Sequence, residues 1–432
     1  MDRTITPVTG PLDAVVSVPG SKSIANRALV CAALAGGECT LRNLPDGDDT
    51  VAMLDCLDRL GIRVLQETGR ATVGGRGGEF DAGPIVLPTR LAGTTSRFLT
   101  ALAALGPGPY VIDGEAPLRS RPMASLHNAL MALGANVTPL ERPGHLPVRV
   151  WRSAGLTGSA GVEVRGDISS QFISALMLIG PYVPGGLVIR LTTELVSRPY
   201  VEMTASVMAD FGLAGVRIDD ENITTIVVPE GRYRPVDLTV EPDASSASYP
   251  FAAAAIAGGS VTVRSLSPHS LQSDIRFVDA LREMGCEVVP DQEGLTVSRR
   301  GALRGISIDM RDFSDTAPTL AVVAAVAATP TRITGIGFIR GKESDRIGDV
   351  VAELRRCGVE AHAEDDGILV VPGSLNGARV ETHHDHRIAM AFSLLGLVVS
   401  GLSVADSSVV SKSFPGFWEV LDTIAASGRA TA

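Results

Sequence analysis

One block of sequence recurs along the chain, and it constrains the fold more than any single motif. Residues 21–64 run SKSIANRALVCAALAGGECTLRNL and, after a loop, LDCLDRLGIRV. Residues 244–289 run ASSASYPFAAAAIAGGSVTVRSL and then VDALREMGCEV. Both read as a small polar cluster, an Ala-rich helix, a Gly-Gly pair, an alternating strand, a second helix, a glycine and a strand. The pairs Gly36-Gly37 and Gly258-Gly259 fall at matching positions. Weaker copies begin at Thr94, Ser169, Asp315 and Asp385, a spacing of about 70 to 75 residues. That spacing suits a βαβαββ unit, and six units divide into three plus three. The expectation is an α/β protein of two similar domains. At 432 residues and 45% hydrophobic, the chain is long enough to bury its cores without staples.

Each repeat opens on Ser, Thr or Asp, the residue types that cap helices, and Asp315 reads as one such cap. The first helix of each repeat is apolar on all sides, hence buried. A helix N-terminus carries about half a positive charge and free N–H donors. Cations crowd these openings: Lys22, Arg27, Arg97, Arg121, Lys342, Arg346, Arg387 and Lys412. They sit beside caps and glycine turns, not on polar helix faces. Two or three anionic groups on the ligands are expected, because guanidinium forks and ammonium groups suit phosphate and carboxylate. Asp315 and Glu343 stand among the cations, and an acid so placed stays ionised and can act as a general base.

Other classes fall away. Net charge is 38 − 48 = −10 and aromatics are 4%, against a global grip on nucleic acid or acidic lipid. Five dispersed cysteines without a CxxC pair read as buried free thiols of a reducing cytoplasm. The apolar start of a secretory signal is missing, and residues 388–405 read as a buried helix, a glycine turn and a strand, not a membrane span. Gly341-Lys342 lacks the remainder of a phosphate-binding loop, and residues 74–78 (GGRGG) read as a hairpin tip. The cluster His383-His384-Asp385-His386 reads as a helix cap and not as a metal site, since consecutive side chains diverge. No metal or cofactor is expected, and no coiled-coil seam argues against a monomer.

The segments PGSKSIANRAL, LAGTTSRFL, SRPM, GDISSQFISALM, LVSRPY, DASSASY, FSDTAPTLA, GKESDRI, HDHRIAMAF and SKSFPGFW resemble the enolpyruvyl transferase family, in order from about residue 5 to residue 425. Within it they resemble the branch that acts on shikimate 3-phosphate. The resemblance implies two domains, each an inside-out α/β barrel of three βαβαββ repeats, flanking an interdomain cleft. Residues 1–19 with 243–432 form one domain and 20–242 the other. It implies transfer of the enolpyruvyl group of phosphoenolpyruvate to the 5-hydroxyl of shikimate 3-phosphate, with release of phosphate. By position, Lys22, Ser23, Arg27, Ser169, Ser170, Gln171, Ser197, Tyr200, Asp315 and Lys342 fall to shikimate 3-phosphate. Lys22, Gly93, Arg121, Gln171, Arg346, Arg387 and Lys412 fall to phosphoenolpyruvate. Asp315, Glu343 and Lys22 are the implied catalytic groups: Asp315 takes the hydroxyl proton and Glu343 protonates the methylene carbon. Small Gly93 implies inhibition by glyphosate. Leu91 and Phe338 stand where many members carry Asn. A relative using another cyclic phosphate and the UDP-N-acetylglucosamine branch remain alternatives, though the loop 114–120 lacks the cysteine typical of the latter.

Overall fold

The computed structural model describes residues 1–153, 155–158, 161–219 and 224–429. The chain divides into two compact units, one of Met1–Pro19 with Glu241–Ala432 and one of Gly20–Val240. Each contains three sheets, so the expectation of a mixed α/β fold built from repeats is met.

In the unit Gly20–Val240, one sheet orders Ile85–Pro88, Tyr110–Asp113, Val148–Trp151 and Asn136–Pro139. Its first two strands are parallel and the other pairings antiparallel. This 1-2-4-3 order is what βαβαββ demands, since a helix must cross between parallel neighbours while the last two strands close as a hairpin. The same order recurs in Val162–Val164, Leu187–Leu191, Thr225–Val228 and Arg217–Ile218. In the other unit it recurs in Ser307–Asp309, Thr331–Thr334, Gly367–Val371 and Glu360–Glu364.

Two strands are exchanged where the chain passes between units. Leu12–Val16 runs on toward helix Lys22–Leu34, yet pairs in parallel with Gly259–Arg264. Asp237–Thr239 leads toward helix Ala244–Ala257, yet pairs in parallel with Gly36–Arg42. The sixth repeat is shortened to Arg379–Val380 and Ser403–Val404, and Arg3–Thr4 joins it from the N-terminus.

The first helix of each repeat is the core. Helix Lys22–Leu34 is buried from Ile24 to Leu34, and Ala244–Ala257 from Ala244 to Ile256. Each buried Leu, Val or Ile contributes about 1.5–3 kcal/mol. The second helices, such as Phe277–Met284 and Gly348–Arg356, bury one face only. Side chains of Ser21, Ser169, Asp243 and Asp385 cap the helices that follow them. Asp315 does not. It lies inside a single 3-10 turn, Ser314–Thr316, and helix Ala317–Ala324 begins without a side-chain cap. Residues 74–78 are not a hairpin tip either, because Gly74 and Gly75 pair with Glu38 and Gly37 within a strand. No described helix is long and apolar enough to cross a membrane, and all five cysteines are buried free thiols.

In the second Gly-Gly pair, Gly259 marks a close backbone approach. Gly259 has φ +91°, and a Cβ there would overlap the Leu12 carbonyl, severing the pairing of Leu12–Val16. Gly259→Ala is expected to cost about 2–4 kcal/mol. Gly301→Ala, with nothing near its Cβ position, is expected to stay within about 0.5 kcal/mol. Urea denaturation of both variants checks this.

Candidate active site

In the unit Gly20–Val240, the openings of the buried helices gather cations. Lys22 is the first residue of its helix, and its ammonium pairs with Asp49 at 3.1 Å. Asp49 lies in the first turn of Asp48–Arg59, where the helix dipole favours an anion. Its carbonyl accepts from Thr95 Oγ1 at 3.0 Å, tying that turn to the start of Gly93–Ala103. A Cβ on Gly93 would lie 2.6 Å from Arg121 Nη1 and 2.8 Å from Arg97 Nη1. Only hydrogen lets both guanidinium groups sit so close to this helix start. Arg97 Nη1 donates to Gln171 Oε1 at 2.6 Å, and Ser169 caps the Gln171 N–H at 3.3 Å.

Arg27 is set deeper, at 1% exposure. It donates to Thr204 Oγ1, the Ser23 carbonyl, Ser174 Oγ and the Tyr200 carbonyl. It thus staples its own helix to Ser170–Ile179 and Pro199–Asp210. Burial pushes it down to about 10, so it keeps its charge at neutral pH. Ser197 precedes Pro199–Asp210 at φ +56° and is buried. Lys22, Arg27, Arg97 and Arg121 thus gather at these helix openings, a cationic lining that suits an anionic ligand.

The other unit carries a denser ionic cluster. Arg346, 1% exposed, donates through Nε and Nη2 to both oxygens of Asp385, at 2.7 and 3.2 Å. Its remaining donors reach Glu343 Oε2 at 2.7 Å and Asp315 Oδ1 at 3.2 Å. Asp315 also accepts from Arg387 at 2.8 Å and Lys342 at 3.2 Å, and Glu343 from Lys412 at 3.3 Å. Burial alone would raise Asp315, but Arg387, Lys342 and Arg346 outweigh it and hold the carboxyl well below the usual range. Asp385 is likewise lowered, because Arg346 and His386 overcome its burial. The Phe338 ring lies 5.8 Å from the Lys342 ammonium, a cation–π distance. Lys342, Arg346, Arg387 and Lys412 thus meet the carboxylates of Asp315, Glu343 and Asp385 in one cluster.

The cluster therefore collects Asp315, Lys342, Glu343, Arg346, Arg387 and Lys412 from segments up to 97 residues apart in sequence (412 − 315). The sequence reading missed three acids. Asp49 was legible as a first-turn acid, but its pairing with Lys22 was not. Asp385 was read as a cap, and it is one, but it is also the main partner of Arg346. Asp274 gave no signal beyond its Ser-Asp pair, Ser273-Asp274, which recurs at Ser344-Asp345. Among the described residues no group of three or more His, Cys, Asp or Glu side chains is arranged to hold a metal ion.

Comparison with known proteins now decides the family. Residues 7–421 match the family of EPSP synthase (3-phosphoshikimate 1-carboxyvinyltransferase). The chain belongs to the EPSP synthase family. A 3-phosphoshikimate 1-carboxyvinyltransferase of Methanoculleus marisnigri is 42% identical over 415 residues, 96% of this chain and 97% of that protein. One of Nostoc punctiforme is 41% identical, covering 94% of this chain and 95% of that protein. An EPSP synthase structure from Acinetobacter baumannii superposes with a TM-score of 0.83 at 25% identity, covering 98% of each chain.

Asp274 gives the ionic cluster around Asp315 a pH signature. It is 3% exposed and its Oδ2 accepts from Ser245 Oγ. Burial, then the charge of Asp315, pushes it up to about 7. A carboxyl raised above its unfolded value binds more protons folded than unfolded. Its contribution is full at low pH and fades as pH climbs from about 4 to about 7. Asp274→Asn, which keeps a neutral group there, is expected to gain stability relative to wild type across that window. Urea midpoints from pH 4 to 8 read the difference, and a difference that does not change with pH refutes the account.

Proposed function

We propose that the chain transfers the enolpyruvyl group of phosphoenolpyruvate to the 5-hydroxyl of shikimate 3-phosphate and releases phosphate. It thus serves the shikimate route to chorismate. The observation that carries the reading is an ionised carboxylate, Asp315, held by Lys342, Arg346 and Arg387 in a chain matching the EPSP synthase family along nearly its whole length. The family relationship does not favour a different cyclic phosphate or a nucleotide sugar as acceptor.

The residue roles are our assignment. Ser169, Ser170 and Gln171 take the 3-phosphate, with Ser23, Ser197 and Tyr200 on the same substrate. Arg27 serves that substrate from beneath, and a direct contact requires it to exchange one of its present bonds. Lys22, Gly93, Gln171, Arg121, Arg346, Arg387 and Lys412 take the carboxylate and phosphate of phosphoenolpyruvate, where Gly93 leaves space for a ligand carboxylate. Glu343 delivers a proton to the methylene carbon. Cationic character then grows at C2, and the 5-oxygen attacks as Asp315 accepts its proton. Loss of phosphate from C2 of the tetrahedral adduct, with return of a methyl proton to Glu343, re-forms the double bond and gives the enol ether. Preorganised cations stabilise the anionic groups throughout.

Asp315 looks too acidic for a base, but its acidity comes from the cations around it. Substrate anions compete for Arg387, Arg346 and Lys342, so its basicity rises when both substrates are bound. We take the working form as a monomer in a reducing cytoplasm, a setting the buried free thiols support. We take the two compact units as its domains.

Phosphate release from phosphoenolpyruvate tests the reading. It is expected to require shikimate 3-phosphate and to fall at least about a hundredfold in Asp315→Ala. Release without the acceptor, or an undiminished Asp315→Ala, overturns it. Gly93→Ala pushes against Arg121 and Arg97 and is expected to raise KM for phosphoenolpyruvate about tenfold. It is expected to weaken glyphosate, a competitor of that substrate in this reading. Steady-state kinetics with inhibitor titration checks both.

A further inference from the structure

The histidine-rich motif is only partly explained by the cap at Asp385. Its first two residues hold an unusual backbone. His383 and His384 have φ +50° and +57° and are the only consecutive non-glycine residues in the left-handed region among the described residues. Side chains with a Cβ avoid that region unless their surroundings impose it. The surroundings are visible. His383 Nε2 is 3.0 Å from Glu353 Oε1, and Nδ1 is 3.5 Å from Asp349 Oδ1. Both carboxylates belong to helix Gly348–Arg356. Glu353 is fully buried; its Oε2 accepts from the Glu381 N–H at 3.0 Å and forms an ion pair with Arg356 at 3.0 Å.

The turn ends at the site. The Asp385 N–H donates to the Thr382 carbonyl at 2.8 Å, closing the turn. Asp385 then grips Arg346 with both oxygens. Arg346 itself stands two residues before helix Gly348–Arg356. A closed ring results: Arg346, the helix, Glu353 and Asp349, His383, the turn, Asp385, and Arg346 again. Other links flank this ring: Ser344 Oγ donates to Asp385 at 3.2 Å, the Glu381 N–H holds the chain before the turn to Glu353, and Asp315 joins Arg346 to Arg387; His383 adds the grip on the turn itself.

We propose that His383 is a positioning residue for the transfer: its ring clamps the 382–385 turn onto helix Gly348–Arg356, and so fixes Asp385 and, through it, Arg346. The proposal rests on the reading of Arg346 as a phosphoenolpyruvate contact. His384 makes no equivalent link, since its ring is exposed and 3.9 Å from Asp406.

Kinetics of His383→Ala, His383→Asn and His383→Gln test this, with circular dichroism confirming that each is folded. Asn tolerates the left-handed backbone but is too short to reach Glu353. Ala and Asn are expected to raise KM for phosphoenolpyruvate about tenfold and to change KM for shikimate 3-phosphate less than about twofold. Gln, whose amide can still donate to Glu353, is expected to recover to within about threefold of wild type. In an Asp385→Asn background, His383→Ala is expected to change kinetics less than about twofold, because the link it acts through is already cut. An unchanged KM for phosphoenolpyruvate in folded His383→Asn overturns the clamp, as does an undiminished effect in the Asp385→Asn background. A wild type without enolpyruvyl transfer overturns the underlying reading instead.

Discussion

Arg346 cannot shed its proton, and in this chain it is buried. A buried guanidinium must be paired and its donors satisfied, or it costs several kcal/mol. Asp385 meets that need with a two-pronged grip, and Glu343 and Asp315 take the donors left over. The geometry of the remaining cluster follows. Lys342 shares Asp315 Oδ1 with Arg346, Arg387 takes Oδ2, and Lys412 pairs with Glu343. A hydrophobic replacement of a buried ion pair is often neutral or better for stability. Stability therefore does not explain why the pair is there. Orientation does: Arg346 holds Asp315 and Glu343 in fixed positions on separate nitrogens, Nη1 and Nη2, as the two roles proposed for them require.

The unit Gly20–Val240 solves a related problem differently. Arg27 is as deeply buried as Arg346 but donates to hydroxyls and backbone carbonyls. Its charge is thus not cancelled locally. With Lys22, Arg97 and Arg121 nearby in the same helix openings, the surplus is cationic inside a chain of net charge −10. Overall acidity and a local anion receptor do not conflict, because fields at a recess are set by near charges and helix ends, not by net charge.

How far the sequence alone could reach depended on the range of the interaction. The repeats were legible because each copy spells its own helix, glycine pair and strand locally. Ser21, Ser169, Asp243 and Asp385 were legible as caps because capping acts over three residues. Asp315 looked the same and is not a cap, since three cations from distant segments compete for it more strongly than a backbone N–H. GGRGG looked like a tip because glycine marks both turns and close backbone approach. Here Gly75 needs the space for the Ala32 and Ala35 carbonyls. The Asp49–Lys22 and Asp385–Arg346 pairs join residues 27 and 39 positions apart, and no local pattern announces them.

Phe338 shows how such a site absorbs a substitution. Its aromatic face replaces the polar side chain that the family resemblance implies there. The site does not lose its hold on Lys342, because the ring face and Asp315 Oδ1 both attract that ammonium. A ring face is worth about 0.5–1 kcal/mol to an exposed cation, and it accepts no hydrogen bond that a substrate hydroxyl could contest. What changes is therefore the wall beside Lys342, drier and flatter, and not the charge pattern. In the proposed reaction the substrate anions answer to that charge pattern, which the ring leaves in place around Asp315 and Glu343.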